Sequence, residues 1–251
     1  MKLLNKNTTF LKCLMALFIT FTTMAQKPTI YTIGDSTMAN KLLVEDNPER
    51  GWGQMLPLFF NDNVTIDNRA MNGRSTKSFI DFKLWDAVYN AIKPGDYVFI
   101  QFGHNDGKVT DSTRYTNPHT AYRYNLIRFV NETRKKGAIP ILFSSITRRT
   151  FNEQGVLIDS HGDYPLETRL VAQEYNVPFI DLQYYTEILE RSYGPEKSKK
   201  LHLHYKPGEN NCFSQGVEDN THLSVEGATA IAKIAAEELK KTKLDLVQFI
   251  K

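Results

Sequence analysis

Cysteine is scarce in this sequence, and neither sign of charge dominates it. Among 251 residues only Cys13 and Cys212 are cysteine. Cys13 lies in the leader identified below, so a disulfide within the mature chain is excluded. Lys and Arg number 31 against 28 Asp and Glu, a formal charge of +3. Removing the leader takes away Lys2, Lys6 and Lys12 and no acid, which leaves a side-chain charge of about zero. Basic residues occur in pairs or triplets, as on solvated helices, and never as the clustered face that phosphate contacts require. A nucleic-acid partner is therefore disfavoured.

Long apolar runs are missing as well. The run Cys13 to Ile19 gives way to threonines and falls short of the roughly 20 residues that span a bilayer. Three lysines precede it and the small-residue exit Thr23-Met24-Ala25 follows, the layout of a signal peptide over residues 1–25. Cys13 follows Lys12 rather than a small residue, which argues against a lipid-modified cysteine. The expected product is one domain over residues 26–251, secreted or periplasmic, with no stable membrane insertion. About 226 residues can bury a core without disulfides.

Several catalytic signatures are absent too. There is no Gly-x-Ser-x-Gly elbow, no His-Glu-x-x-His helix and no paired-cysteine site. Arg50 to Gln54 lacks the third glycine of a dinucleotide loop, and no Gly-x-x-x-x-Gly-Lys is present. A carboxylate pair for glycoside hydrolysis requires only a distance between two acids, and nothing in the sequence singles one out.

What is present is an alternation. Strand-like runs cover Thr29 to Ile33, Val64 to Asp67, Tyr97 to Phe102, Ile139 to Phe143 and Pro178 to Ile180. Helical periodicity covers Gly53 to Phe60, Trp85 to Ile92, Ala121 to Lys136, Leu166 to Tyr175 and Val225 to Lys240. Such alternation predicts an α/β fold, a parallel sheet of about five strands covered by helices on both faces. In open sheets of this kind ligands bind outside the carboxyl ends of the strands. Gly34-Asp-Ser36, the segment around Gly73 and Gly103-His-Asn-Asp106 all fall at such ends.

Ser36 is either a helix N-cap or a nucleophile. As a nucleophile it needs a base, because a serine hydroxyl attacks poorly unless another group takes its proton. His222 is the best candidate, since Asp219, three residues earlier, can fold back and accept the second imidazole N–H. The competing reading makes Asp219 a turn residue and His222 a loop residue before a helix. Gly73 and Asn105 could supply oxyanion donors, or could serve only a tight turn and a local side-chain bond. Of the remaining histidines, His104 sits in a glycine-rich loop and His119 opens a helix. His202 and His204 alternate as strand or surface residues do. His161, within Ser160-His-Gly-Asp-Tyr-Pro165, either lines a binding site or sits in a surface loop.

Four segments, taken in order, resemble the SGNH (GDSL) hydrolase superfamily: Gly34-Asp-Ser36, Gly73, Gly103-His-Asn-Asp106 and Asp219-x-x-His222. Longer strings spread through the chain, "ERGWGQMLPLFF", "NRAMNGRSTKSFI", "QFGHNDG", "HGDYP" and "EDNTHLSVEGATAIA", are similar to its rhamnogalacturonan acetylesterase group. The resemblance implies a flavodoxin-like α/β/α sandwich. It also implies a Ser36–His222–Asp219 triad and an oxyanion hole made by the Ser36 N–H, Gly73 and Asn105. No metal or organic cofactor is implied. Asp35, Asp106 and Trp52 are read as structural.

The implied activity is acetyl-ester hydrolysis on a plant cell-wall polysaccharide, first rhamnogalacturonan, through an acetyl-enzyme. Rival readings are an acetylxylan-type esterase, a lipid esterase or thioesterase, and a carbohydrate-binding protein without catalysis. Because pectic chains carry carboxylates, at least one of Arg74, Arg148 and Arg149 is expected to contact a substrate carboxylate near the scissile ester, with His161 as a further substrate-binding candidate. The alternative is that the three arginines are solvated loop charges.

Overall fold

The β-branched and aromatic runs form strands because they are apolar at successive positions and so can bury both faces of one sheet. The computed structural model describes residues 27–251, and the signal-peptide expectation for residues 1–25 lies outside them. Among the described residues eight strands run in chain order: β1 (Thr29–Gly34), β2 (Glu49–Arg50), β3 (Thr65–Asn68), β4 (Tyr97–Gln101), β5 (Ile139–Phe143), β6 (Phe179–Ile180), β7 (His202–Tyr205) and β8 (Val217–Ser224). Five of them make a parallel sheet in the order β3-β1-β4-β5-β6. The α-helices are α1 (Trp52–Met55), α2 (Thr76–Asp81), α3 (Leu84–Ala91), α4 (Arg123–Lys135), α5 (Asp163–Glu174), α6 (Leu182–Lys197) and α7 (Val225–Lys240).

Two cores lie on opposite faces of the sheet, and neighbouring strand residues divide between them. Ile30, Phe99, Ile141 and Phe143 pack with Trp52, Leu56 and the α7 residues Ile231 and Ala235. Tyr31, Val98, Ile100 and Leu142 pack with Phe79, Trp85, Phe129 and Val171 from α2, α3, α4 and α5. The result is the expected α/β/α sandwich. Strand order reverses direction at β1, so the carboxyl ends of β1 and β4 flank the crevice where such folds bind ligands.

Three features depart from the expected elements. The helix expected from Gly53 divides into α1 and a 3₁₀ turn over Leu56–Phe59, with Pro57 in its first turn. Helix α6 follows β6 directly, opened by Asp181, whose side chain accepts from the Tyr184 N–H at 3.3 Å. A second, antiparallel sheet, ordered β2-β8-β7, stands beside the main one. It carries Asp219 and His222, which therefore sit on a strand rather than in a loop. Ser224 ends β8 and caps α7, its Oγ accepting from the Gly227 N–H at 3.1 Å.

Candidate active site

Ser36 follows Gly34-Asp35 at the end of β1. The N–H groups of Met38 and Ala39 donate to the Asp35 carbonyl at 3.2 and 3.0 Å, which closes a tight turn. That turn does not continue as a helix, so Ser36 caps nothing. Asp35 holds the turn from inside: its Oδ1 accepts from the Thr37 N–H at 2.9 Å and from the Thr37 hydroxyl at 2.8 Å. Gln101 donates to its other oxygen at 3.4 Å and accepts from the Trp52 indole at 2.7 Å. Asp35 and Trp52 thus order the loop beneath Ser36. Burial raises the Asp35 carboxyl above its ordinary range, although the Thr37 bonds and, from farther away, the Arg148 charge oppose this.

The base and acid arrive together on β8. The β7–β8 register jumps between His202 and Leu203, which pair with Leu223 and Asp219, so residues 220–222 form an outward excursion. Asp219 closes the base of this excursion, its Oδ1 accepting from the N–H of Thr221 at 2.7 Å and of His222 at 2.9 Å. The other carboxylate oxygen, Oδ2, lies 2.6 Å from His222 Nδ1, and His222 Nε2 lies 2.9 Å from Ser36 Oγ. Burial opposes the charge on Asp219, but the ring N–H and two backbone N–H groups outweigh it and hold the carboxyl well below its usual range. Ser36, His222 and Asp219 form one hydrogen-bonded line.

The residues expected to supply oxyanion donors, Gly73 and Asn105, line the same cleft as Ser36. Among the described residues the N–H groups of Ser36 and Gly73 have no intramolecular acceptor. Gly73 adopts φ +73°, a conformation that favours glycine. Asn105 gives one amide hydrogen to the Arg74 carbonyl at 3.0 Å, which leaves the second free. The neighbouring Asp106 is fully buried and ties three segments together, accepting from the Thr76 N–H at 3.0 Å and from the Thr76 and Thr116 hydroxyls at 2.6 and 2.7 Å. Burial pushes its carboxyl up to about 7 despite these bonds. Gly103, at φ +136°, is required where it stands, because a Cβ there would lie 2.2 Å from Ser145 Oγ.

These groups open into a cleft of about 630 Å³. Among the described residues, Leu203 and Phe213 are the only large apolar ones lining it. Arg148 lines it too, half-buried, its fork donating to the Ser160 and His104 carbonyls at 3.0 and 3.1 Å.

The other two arginines do not reach the cleft wall as expected. Arg74 turns away, its guanidinium 4.7 Å from the centroid of Phe82, and only its carbonyl serves the site. Arg149 is buried behind the β8 excursion. It donates to Asn220 Oδ1 at 2.8 Å, to Ser198 Oγ at 3.1 Å and to the Pro195 carbonyl, while its own N–H donates to the Asn220 carbonyl at 2.9 Å. Adjacent residues on an extended segment point to opposite sides, so Arg148 faces the cleft and Arg149 the interior.

His161 is neither exposed nor in the main cleft. Its Nε2 lies 3.1 Å from His104 Nδ1, and the two rings meet edge to face. Burial, then the nearby Arg148, lowers the His161 ring to about 3, and burial lowers His104 as well, so both rings are neutral. Sequence reasoning missed three cations that line the cleft, Lys41, Lys108 and Arg114. Lys41 forms a 2.7 Å ion pair with Glu49. No signal in the sequence distinguishes these from other loop cations. Among the described residues no three His, Cys, Asp or Glu side chains are grouped to hold a metal ion.

A serine, an imidazole and a carboxylate in line beside free N–H donors can carry out acyl transfer. Residues 32–230 match the GDSL-like lipase/acylhydrolase family. The chain belongs to that family. It is accordingly an ester hydrolase. Among its relatives is the rhamnogalacturonan acetylesterase RhgT of Bacillus subtilis (strain 168), 38% identical over 89% of this chain and 94% of that protein. The rhamnogalacturonan acetylesterase of Emericella nidulans is 27% identical over 81% of each chain. Among solved structures, Bacillus subtilis YxiM superposes with a TM-score of 0.74 at 28% identity, covering 87% of this chain and 58% of that longer one. An acetylxylan esterase from Geobacillus stearothermophilus shares the fold, with a TM-score of 0.60 at 17% identity over 87% of this chain and 95% of its own.

Proposed function

We propose that this protein is an exported carbohydrate esterase, one domain over residues 26–251, that removes O-acetyl groups from a pectic polysaccharide, rhamnogalacturonan first. The observation that carries the reading is the Ser36–His222–Asp219 line opening into a polar cleft. A long acyl chain would need an apolar wall, and Leu203 and Phe213 alone do not make one. The similarity to RhgT over most of both chains supports the choice of polymer.

In the reaction, His222 Nε2 takes the Ser36 proton as Oγ bonds to the acetyl carbonyl carbon. The N–H groups of Ser36 and Gly73 and the Asn105 amide stabilise the negative oxygen that develops. Collapse breaks the bond to the sugar oxygen, which leaves with the proton from His222. Water then gives a proton to His222 as its oxygen adds to the acetyl carbon. The second collapse breaks the bond to Ser36 Oγ, which takes the proton from His222, and frees acetic acid, which ionises to acetate in water. Asp219 holds the imidazole with Nδ1 protonated and stabilises the imidazolium in both halves.

The test is acetate release from a panel of acetylated pectic, xylan and mannan polymers, with Ser36→Ala as control. Release from the pectic polymer should dominate and vanish in the variant. A preference for long-chain p-nitrophenyl esters over the acetyl ester would move the assignment to lipids. A folded Ser36→Ala protein with near-native turnover would remove Ser36 from the chemistry.

A further inference from the structure

The charges around the cleft do not balance. Two acids line it, and both are engaged: Glu49 pairs with Lys41, and Asp219 with the His222 ring. Arg114 is held by Asp111. Lys108 and Arg148 remain, with no carboxylate partner among the described residues. The same two residues line a side pocket of about 280 Å³, together with Gly107, His161 and Tyr164. That volume is near the lower end for small-ligand sites.

Position links this pair to the chemistry. The Lys108 N–H donates to the Asn105 carbonyl at 3.2 Å, so the lysine is anchored to the residue that offers the oxyanion amide. Arg148 donates to two carbonyl oxygens and, at 3.5 Å, to Ser160 Oγ; among the described residues it forms no ion pair, and Asp35 and Asp159 act on its charge only from farther away. Burial, followed by the neighbouring Arg114 and Arg148 guanidiniums, holds the Lys108 ammonium below its ordinary range, although the Asp111 and Asp35 carboxylates oppose this from a distance.

We propose that Lys108 and Arg148 form a carboxylate subsite at the junction of cleft and side pocket, which grips a uronate residue at or next to the acetylated sugar. This rests on the carbohydrate-esterase reading and adds how the enzyme recognises an acidic polymer. The subsite takes the place expected for Arg74 and Arg149, whose guanidiniums are engaged elsewhere.

The experiment compares kcat/KM on an acetylated rhamnogalacturonan oligosaccharide with that on its carboxyl-reduced, re-acetylated counterpart. The ratio of the two isolates the carboxylate from any general effect on catalysis or folding. The wild type should favour the acidic substrate, and the preference should shrink at raised salt. Lys108→Gln should lower the ratio about five-fold, the upper range for one exposed ion pair. Lys108→Glu should lower it further by placing like charges together. Lys108 is exposed, so neither variant threatens the fold. A wild-type ratio near one, or a ratio unchanged in both variants, overturns the subsite and leaves the esterase reading intact. Failure of the wild type to release acetate from either oligosaccharide, while it still cleaves a small acetyl ester, overturns both.

Discussion

Replacing Asp219 by Asn changes one atom of the line and, by the geometry, reverses the proton on His222. Asp219 Oδ1 accepts two backbone N–H groups, from Thr221 and His222, while Oδ2 faces His222 Nδ1 at 2.6 Å. An asparagine has one oxygen to distribute. Turned toward the two N–H groups, it presents its NH₂ to Nδ1. Turned the other way, it sets NH₂ against two donors and leaves both unpaired, at about 1–3 kcal/mol each. The first orientation wins by several kcal/mol. Nδ1 must then accept, which places the ring proton on Nε2, where it donates to Ser36 Oγ and cannot remove the serine proton.

The corresponding exchange in chymotrypsin-like proteases lowers kcat about 10⁴-fold through the wrong tautomer, a scale carried over here. Asp219→Asn should therefore reduce kcat on p-nitrophenyl acetate by about 10³–10⁴. KM and the melting temperature should change little, because both backbone bonds survive. Kinetics beside thermal unfolding check this, and a folded variant with more than about a tenth of wild-type turnover would refute the tautomer argument.

Asn105→Ala should lower kcat by about 10²–10³, the scale for loss of one oxyanion donor in a serine protease, with a much smaller change in KM; a loss confined to KM would make Asn105 a substrate-binding residue. Arg149→Leu should destabilise the protein by about 2–4 kcal/mol, because Pro195, Ser198 and Asn220 lose a buried donor, and should lower kcat on acidic and neutral acetyl esters alike; a loss on the acidic substrate alone would restore Arg149 as a polymer contact. Asp106, raised to about 7 from 3.8, contributes stability that is fully present below about pH 4 and lost as pH rises through about 7. Asp106→Asn lacks this dependence, so its stability relative to wild type should rise over that window by up to about 4 kcal/mol, as read by denaturant unfolding at each pH; a constant difference would mean that Asp106 is ionised throughout.

The main sheet was legible because four of its strands are short, largely apolar runs, and such runs report burial locally; the edge strand β3, Thr65–Asn68, is half-exposed and carries only Ile66 as an apolar residue. The second sheet was not. Val217 to Ser224 reads as a polar segment, and its pairing with His202 to Tyr205 depends on chain that is distant in sequence. Ser36, Gly73, Asn105, Asp219 and His222 could be named because their residue types follow strand ends in a recognisable order. The arginines show the limit of that method. Arg148 and Arg149 are neighbours, and only the direction of each Cβ decides which one meets the cleft. Lys41 and Lys108 went unnoticed for the same reason, since a lone loop lysine carries no sign of what faces it. His161 could be nominated but not placed, because its partner His104 lies 57 positions away.

The β8 excursion also bears on when the enzyme becomes competent during synthesis. Acid and base sit within four residues, organised largely by hydrogen bonds of their own segment, whereas Ser36 lies 186 positions upstream of His222. The ribosome therefore releases the nucleophile early and its partner late. Until β8 docks, Ser36 lacks the His222 ring that takes its proton, so the chain stays inert toward esters. Activity is then a late event of folding, and its first appearance reports that the antiparallel sheet has closed onto the parallel one.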